Sequence, residues 1–278
     1  MANQCVHFLI FTDLDGTLLD HHSYSAKPAD HLVRQLRDQS MADIIPITSK
    51  TRSELQALEQ SIPISGAVSV TENGSVIHAP DGAPFAQDEH SHIVIMGVEY
   101  GRILDQVNGL PQHLRQHITG FADMSVQAVA EATGLPIEDA QRAKEREATE
   151  PFLWSGSDAA YSELEAAMAK ADIRIQRGGR FYHFTGQATK EQAMKTVVRA
   201  FQSSRPELEL VSIALGDGPN DLGMIEAADI GVIMPNVDGV AIISTKSHVR
   251  TAAGPGPHGW VAAIQDILQK YGLTLPET

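Results

Sequence analysis

Two nearly continuous apolar runs, Phe8 to Phe11 and Leu210 to Leu215, are each broken off by carboxylates. The first leads into Asp13-Leu14-Asp15-Gly16-Thr17 and the second into Gly216-Asp217-Gly218-Pro219-Asn220-Asp221. An apolar run without alternation is the pattern of a strand covered on both faces, and such strands build parallel sheets whose ligands sit at the carboxyl ends. Both acidic clusters are therefore expected at one mouth of an open α/β sheet. In the first, strand alternation places Asp13 and Asp15 on one side of the chain, and Gly16 permits the sharp exit that carries both toward a common pocket. Acids so close repel, so one takes up a proton or a cation binds between them.

The donor chemistry narrows the cation. Asp13, Asp15, Asp217, Asp221 and Asn220 offer oxygen only, with no cysteine or histidine among them. That set suits a hard ion that meets a phosphate, Mg²⁺, and not zinc. Between the clusters, Ile47-Thr48-Ser49-Lys50 follows the strand-like stretch from Asp43 to Pro46, and Lys190 opens a helical pattern. Hydroxyl and ammonium groups are what a phosphoryl dianion requires.

In this order, Asp13-x-Asp15-x-Thr17, Thr48, Lys190 and Gly216-Asp217-x-x-Asn220-Asp221 resemble the four motifs of the haloacid dehalogenase superfamily of phosphatases. The resemblance implies that Asp13 attacks phosphorus and that Asp15 protonates the leaving alkoxide, then activates water. It also implies that Asp217 joins Asp13 and the main-chain carbonyl of Asp15 around Mg²⁺, and that Thr48 and Lys190 stabilise the phosphoryl oxygens. Asp221 is read as a ligand through water, as a group that orients Lys190, or as a cap on the helix near Leu222.

A narrower resemblance rests on Arg146 to Phe152, Arg177 to His183 and Gly254 to Trp260, with Thr48 to Arg52 in keeping. These stretches are similar to mannosyl-3-phosphoglycerate phosphatases, although Ala148-Thr149 stands where that family leads one to expect an aromatic and a small residue. The implied reaction releases phosphate from mannosyl-3-phosphoglycerate. The glucosyl compound and other sugar phosphates are the alternatives. Lys50, Arg177, Gly178, Gly179, Arg180 and Asn220 are the expected substrate contacts, the two arginines offering paired donors around a Gly-Gly turn. A phosphoacceptor signalling module shares the acidic pocket, hydroxyl and lysine. The long insert and the second acid, Asp15, favour turnover over storage of the phosphoryl group. Arg142 and Arg146 are read as an exposed helical pair and given less weight.

The chain of 278 residues is long enough for a core domain plus an insert. Its 21 Lys and Arg against 35 Asp and Glu, a formal charge of -14, argue against nucleic acid or an anionic membrane as partner. A phosphorylated small molecule is the expected partner, and the oligomeric state is left open. The lone cysteine, Cys5, excludes an internal disulfide and is read as a small buried hydrophobe; with no signal segment or membrane span, a cytoplasmic location is expected. His113/His117 and His90/His92 lack cysteine or carboxylate partners in sequence and read as surface residues.

Periodicity gives a doubly wound, Rossmann-like parallel sheet for residues 1–86 and 188–278, with an α/β cap inserted over 87–187. Helices are expected at Pro28 to Gln39, Pro111 to Ile118 and Thr133 to Arg146. A hairpin is expected to turn at Asn73-Gly74 and another at Gly178-Gly179, the latter followed by a strand from Arg180.

Overall fold

The structure, a computed structural model, describes residues 6–64, 66–84, 93–178, 180–236 and 240–273. Cys5, His90, His92 and Gly179 lie outside the described residues. The chain begins with β1 (Val6–Thr12), α1 (Ala29–Asp38), β2 (Ala42–Pro46), α2 (Arg52–Leu58) and a hairpin of β3 (Ser69–Thr71) and β4 (Val76–His78). Next come β5 (Ile93–Ile95), α3 (Tyr100–Asn108), α4 (Gln112–Arg115), β6 (Ile118–Gly120), α5 (Val126–Thr133), α6 (Ile137–Ala143), β7 (Thr149–Trp154), α7 (Asp158–Ala169), β8 (Arg174–Arg177) and β9 (Tyr182–Thr185). The last part holds α8 (Lys190–Ser204), β10 (Glu209–Gly216), α9 (Leu222–Ala227), β11 (Ile230–Ile233), β12 (Val249–Thr251) and α10 (Gly256–Lys270).

The main sheet is parallel throughout, in the order β12-β11-β10-β1-β2. Alternate residues of β1 feed opposite layers, as the unbroken apolar run requires. Phe8 and Ile10 join the cluster containing Leu36, Trp260 and Ile264 from α1 and α10, while Leu9 and Phe11 join Met194, Val197 and Ile225 from α8 and α9. Each such fully buried side chain stabilises the fold by about 1.5–3 kcal/mol. The chain leaves β1 toward β2 on one side and returns to β10 on the other, so the order reverses between β1 and β10. That reversal is where an open sheet leaves a crevice at its carboxyl edge. Thr12 is in register with Leu215, which brings the two acidic loops side by side.

The insert carries its own antiparallel sheet, β6-β7-β9-β8, with Phe152 and Phe184 stacked at 4.0 Å in its core. Local details depart from the sequence reading. Ile118 opens β6, so the helix expected from Pro111 stops at Arg115. The helix expected from Thr133 to Arg146 covers only Ile137–Ala143, because Gly134, at φ +82°, ends α5 and Pro136 separates the two helices. β7 was not foreseen, since Pro151 argues against an interior strand. It is tolerated because the chain past β6 meets Pro151 through its carbonyl, which accepts Phe121 N–H at 2.9 Å, so the missing N–H breaks no ladder bond. β9 begins at Tyr182 and not at Arg180. Ile93–Ile95, which the periodicity puts at the start of the insert, pairs with β4. His113 is exposed and bonds Glu163 at 2.9 Å. Among the described residues no helix is long and apolar enough to cross a membrane.

Candidate active site

Asp13 is the first residue past β1. Its N–H donates to Leu215 C=O at 2.9 Å, which extends the pairing with β10 and fixes where the side chain points. Lys190, at the first turn of α8, reaches across and donates to Asp13 Oδ1 and to Asp221 Oδ1, both at 2.6 Å. The lysine is 2 % exposed. Burial alone would discharge it, but the two carboxylates more than offset this and hold its ammonium above the ordinary range. Burial is also the largest influence on Asp13, opposed by Lys190 and reinforced by Asp221 and Asp15; its carboxyl is pushed up to about 7. Asp217 is pushed up to about 6 by burial and then by Asp221.

Oxygens of Asp13, Asp217 and Asp221 lie within 4.8 Å of one another. Three buried acids served by a single ammonium are under-neutralised, and their donors are all oxygen. The set fits a hard divalent cation. Two further buried polar atoms of the loop that follows Asp13, Asp15 Oδ1 and Thr17 Oγ1, have no protein partner. Small residues make the convergence possible. A Cβ on Gly16, which has φ +74°, would stand 2.6 Å from Asp217 Oδ2, and one on Gly216 would stand 2.4 Å from Asp221 Cβ.

Asp15 stands apart from this triad. Strand geometry ends at Thr12, so the alternation expected to align Asp13 with Asp15 does not apply. Leu14 turns into the core, and the Asp15 carboxylate goes to Lys50 Nζ at 2.7 Å. Its expected contribution to a cation, the main-chain carbonyl, does not depend on that side chain. Lys50 is kept charged against burial chiefly by Asp15. Thr48 is buried, and its hydroxyl accepts from Lys50 N–H at 3.2 Å. The loop of residues 48–50 runs directly into α2, capped by Thr51 and Glu54 in a reciprocal box. Asp221 occupies the N-cap of α9 without a side-chain capping bond. Its carboxylate instead takes Gly218 N–H at 2.9 Å and Lys190 Nζ at 2.6 Å. Asn220 is exposed and bonds Asn73 Oδ1 at 3.1 Å.

The arginines of the insert are different. Arg177 and Arg180 are both exposed. Arg177 lies over the Tyr182 ring, and Arg180 bonds the carbonyl of Ala132. Gly178 N–H donates to Phe181 C=O at 2.9 Å, closing the turn between β8 and β9. No protein contact joins either guanidinium to the acidic triad among the described residues.

Three residues near the site escaped the sequence reading, and a fourth, Arg146, lies elsewhere than it expects. Asn236 donates to Asp217 Oδ2 at 2.8 Å. It follows β11 and could have been found by the rule that exposed the two acidic loops. Arg146 lies beyond the end of α6, not on its exposed face, and donates to Ser49 C=O at 3.3 Å. Tyr24, half exposed with φ +54°, places its ring 5.4 Å from Lys50 Nζ. Glu72 is fully buried in the β3–β4 turn. Nothing in the spacing of the last two announces their placement.

Comparison with known proteins places the chain. A family model described as haloacid dehalogenase-like hydrolase matches residues 10–247. A glucosyl-3-phosphoglycerate/mannosyl-3-phosphoglycerate phosphatase of Persephonella marina is 32 % identical over 268 residues, covering 94 % of this chain and 97 % of that protein. An enzyme of the same name from Methanococcoides burtonii is 33 % identical over 271 residues, covering 94 % and 97 %. Among solved structures, a phosphatase of the haloalkanoate (HAD) enzyme superfamily from Bacteroides thetaiotaomicron superposes with a TM-score of 0.63 at 15 % identity, covering 99 % and 98 % of the two chains.

Proposed function

We propose that this chain, which belongs to the haloacid dehalogenase-like hydrolases and is one of their phosphatases, removes phosphate from mannosyl-3-phosphoglycerate in the cytoplasm. The observation that carries the chemistry is the buried Lys190 bridge between Asp13 and Asp221. It holds Asp13 Oδ1 and leaves Oδ2 as the attacking atom. Asp13 Oδ2 bonds to phosphorus as the bond to the leaving oxygen breaks, and Asp15 gives that oxygen its proton. Asp15 then takes a proton from water, whose oxygen attacks the aspartyl-phosphate and returns Asp13 and inorganic phosphate. Thr48 and Lys190 hold the phosphoryl oxygens as charge redistributes. Mg²⁺, held by Asp13, Asp217, Asp221 and the Asp15 carbonyl, would supply further positive charge to those oxygens.

Residues 87–187 act in this reading as a cap that selects the alcohol part of the substrate, with Lys50, Arg177, Gly178, Gly179, Arg180 and Asn220 as its contacts. Support for the phosphoglycerate class is the full-length similarity to two enzymes named for both glycosyl forms, so glucosyl-3-phosphoglycerate is the second substrate to test. Phosphate release with Mg²⁺ across both glycosyl phosphoglycerates and common hexose phosphates is expected to give the mannosyl compound a kcat/KM at least about tenfold above any hexose phosphate. A preference for hexose phosphates would overturn the substrate. Asp13→Asn is expected to lose at least about 10³-fold in kcat and to form no acyl-phosphate detectable by mass spectrometry. Substantial residual turnover would overturn the covalent route.

A further inference from the structure

The two crossings that join the insert to the main sheet run side by side. A Cβ on Gly186 would meet the main chain of Val98 and Gly97 at 2.7 and 2.8 Å. Met96 N–H donates to Ser75 C=O at 2.8 Å, and Ser75 Oγ lies 3.2 Å from Thr185 Oγ1. Adjacent crossings act as a hinge, and a hinge leaves one rotation free unless a third contact fixes it.

The turn between β3 and β4 supplies such a contact, beside those of Arg146 to Ser49 C=O, the Thr51 hydroxyl to Arg142 C=O at 2.9 Å and His78 to Glu147 at 3.0 Å. Its main chain serves the phosphate loop of residues 48–50: Glu72 N–H donates to Lys50 C=O at 3.0 Å and Asn73 N–H to Thr48 C=O at 2.9 Å. Gly74 lies against the start of α8 so closely that a Cβ would come 2.6 Å from Lys190 N. The Glu72 side chain points instead into the insert. Its Oε1 accepts Glu147 N–H at 2.7 Å, and its Oε2 accepts Ala148 N–H at 3.2 Å and the Thr149 hydroxyl at 2.6 Å. Glu72 and Asn73 sit at φ +51° and +58°, which non-glycine residues keep only where the surroundings over-determine them.

We propose that Glu72 is a positioning residue that latches the insert over the phosphate loop, controlling capture of the substrate beyond its phosphate and not phosphoryl transfer itself. This rests on the reading that the insert contacts the glycosyl glycerate. Three donors converge on the carboxylate, so the position needs a side chain that only accepts. An amide would aim its NH₂ at Glu147 N–H in one orientation and at Ala148 N–H in the other. Glu72→Gln thus opens the latch at constant size.

In Glu72→Gln, KM for mannosyl-3-phosphoglycerate is expected to rise about tenfold, while kcat/KM for p-nitrophenyl phosphate and inhibition by inorganic phosphate stay within about twofold. Thr149→Val, which removes one donor and guards against misfolding of the first variant, is expected to show the same split at smaller size. Equal losses on both substrates, or an unchanged KM in both variants, would overturn the latch. Hydrogen exchange reads it without any sugar: the Glu147 and Ala148 amides are expected to exchange about tenfold faster in Glu72→Gln with the Asn73 amide unchanged, and no change overturns it. A wild-type enzyme that ignores glycosyl phosphoglycerates while those amides respond would overturn only the substrate reading.

Discussion

Asp13, Lys190 and Asp221 are buried and bound to one another, whereas Arg177 and Arg180 stand exposed on the insert, where among the described residues a ring and a carbonyl meet their guanidiniums. Both sets are charged groups assigned to the same substrate. The difference follows from what each has to do. A group that stabilises charge during bond-breaking gains from a low dielectric and a fixed position, and it has to be neutralised to sit there. A group that gathers an anionic substrate from water can stay hydrated until the substrate arrives. Removal of the first kind is expected to perturb the fold, and removal of the second is not.

That contrast can be broken most severely at Lys190. Lys190→Met leaves Asp13 and Asp221 buried without their ammonium, so unfolding free energy in urea is expected to fall by about 3–5 kcal/mol. Phosphate release is expected to fall by at least about 10²-fold. A stable, inactive variant would mean that the acids are less buried in solution than in this structure.

The pH dependence sharpens the contrast, because the two regions carry shifts of opposite sign. Burial raises Asp13 from 3.8 to about 7, so the folded state binds the extra proton and stability of the metal-free protein falls as pH rises through that window. In the insert, burial lowers His183 from 6.5 to about 4, so the unfolded state binds the extra proton and stability rises with pH between those values. Melting curves from pH 4 to 8 are expected to lose part of their fall up to about pH 7 in Asp13→Asn, and to fall more steeply with pH between about 4 and 6.5 in His183→Gln, where the opposing histidine slope is gone. Mg²⁺, which needs ionised carboxylates, is expected to raise Tm more at pH 7 than at pH 5.

The smallest effect is expected at Arg180. Arg180→Ala should raise KM for the glycosyl phosphoglycerate by less than about fivefold, with stability within about 0.5 kcal/mol of wild type by denaturant titration. A large loss of stability would place this arginine with the structural groups and erase the distinction.

Legibility in the sequence follows the same division. Asp13, Asp217 and Asp221 could be read because they terminate apolar runs, and a doubly covered strand leaves few places where a carboxylate can stand. Lys190 was legible as a helix start and as one possible partner of Asp221, but not as the bridge from Asp221 to Asp13, since no spacing rule connects residue 190 to residue 13. The pairing of Asp15 with Lys50 was missed because alternation was carried past the end of β1, where the chain turns at Gly16. Arg146 was misplaced because its helix stops at Ala143, and β7 was overlooked because proline argues against an interior strand.

The amino-acid order by itself determined the parallel sheet, the two acidic loops at its carboxyl edge and the oxygen-only donor set. Those depend on local patterns, namely apolar runs, turn residues and donor chemistry, which hold wherever the segment lies. Tertiary structure alone decided that β10 lies beside β1, that one lysine serves two acids, and that the Glu72 turn touches both the phosphate loop and the insert. Such contacts join residues tens to hundreds of positions apart, and their energies arise from burial and charge neutralisation that exist only once the layers have packed.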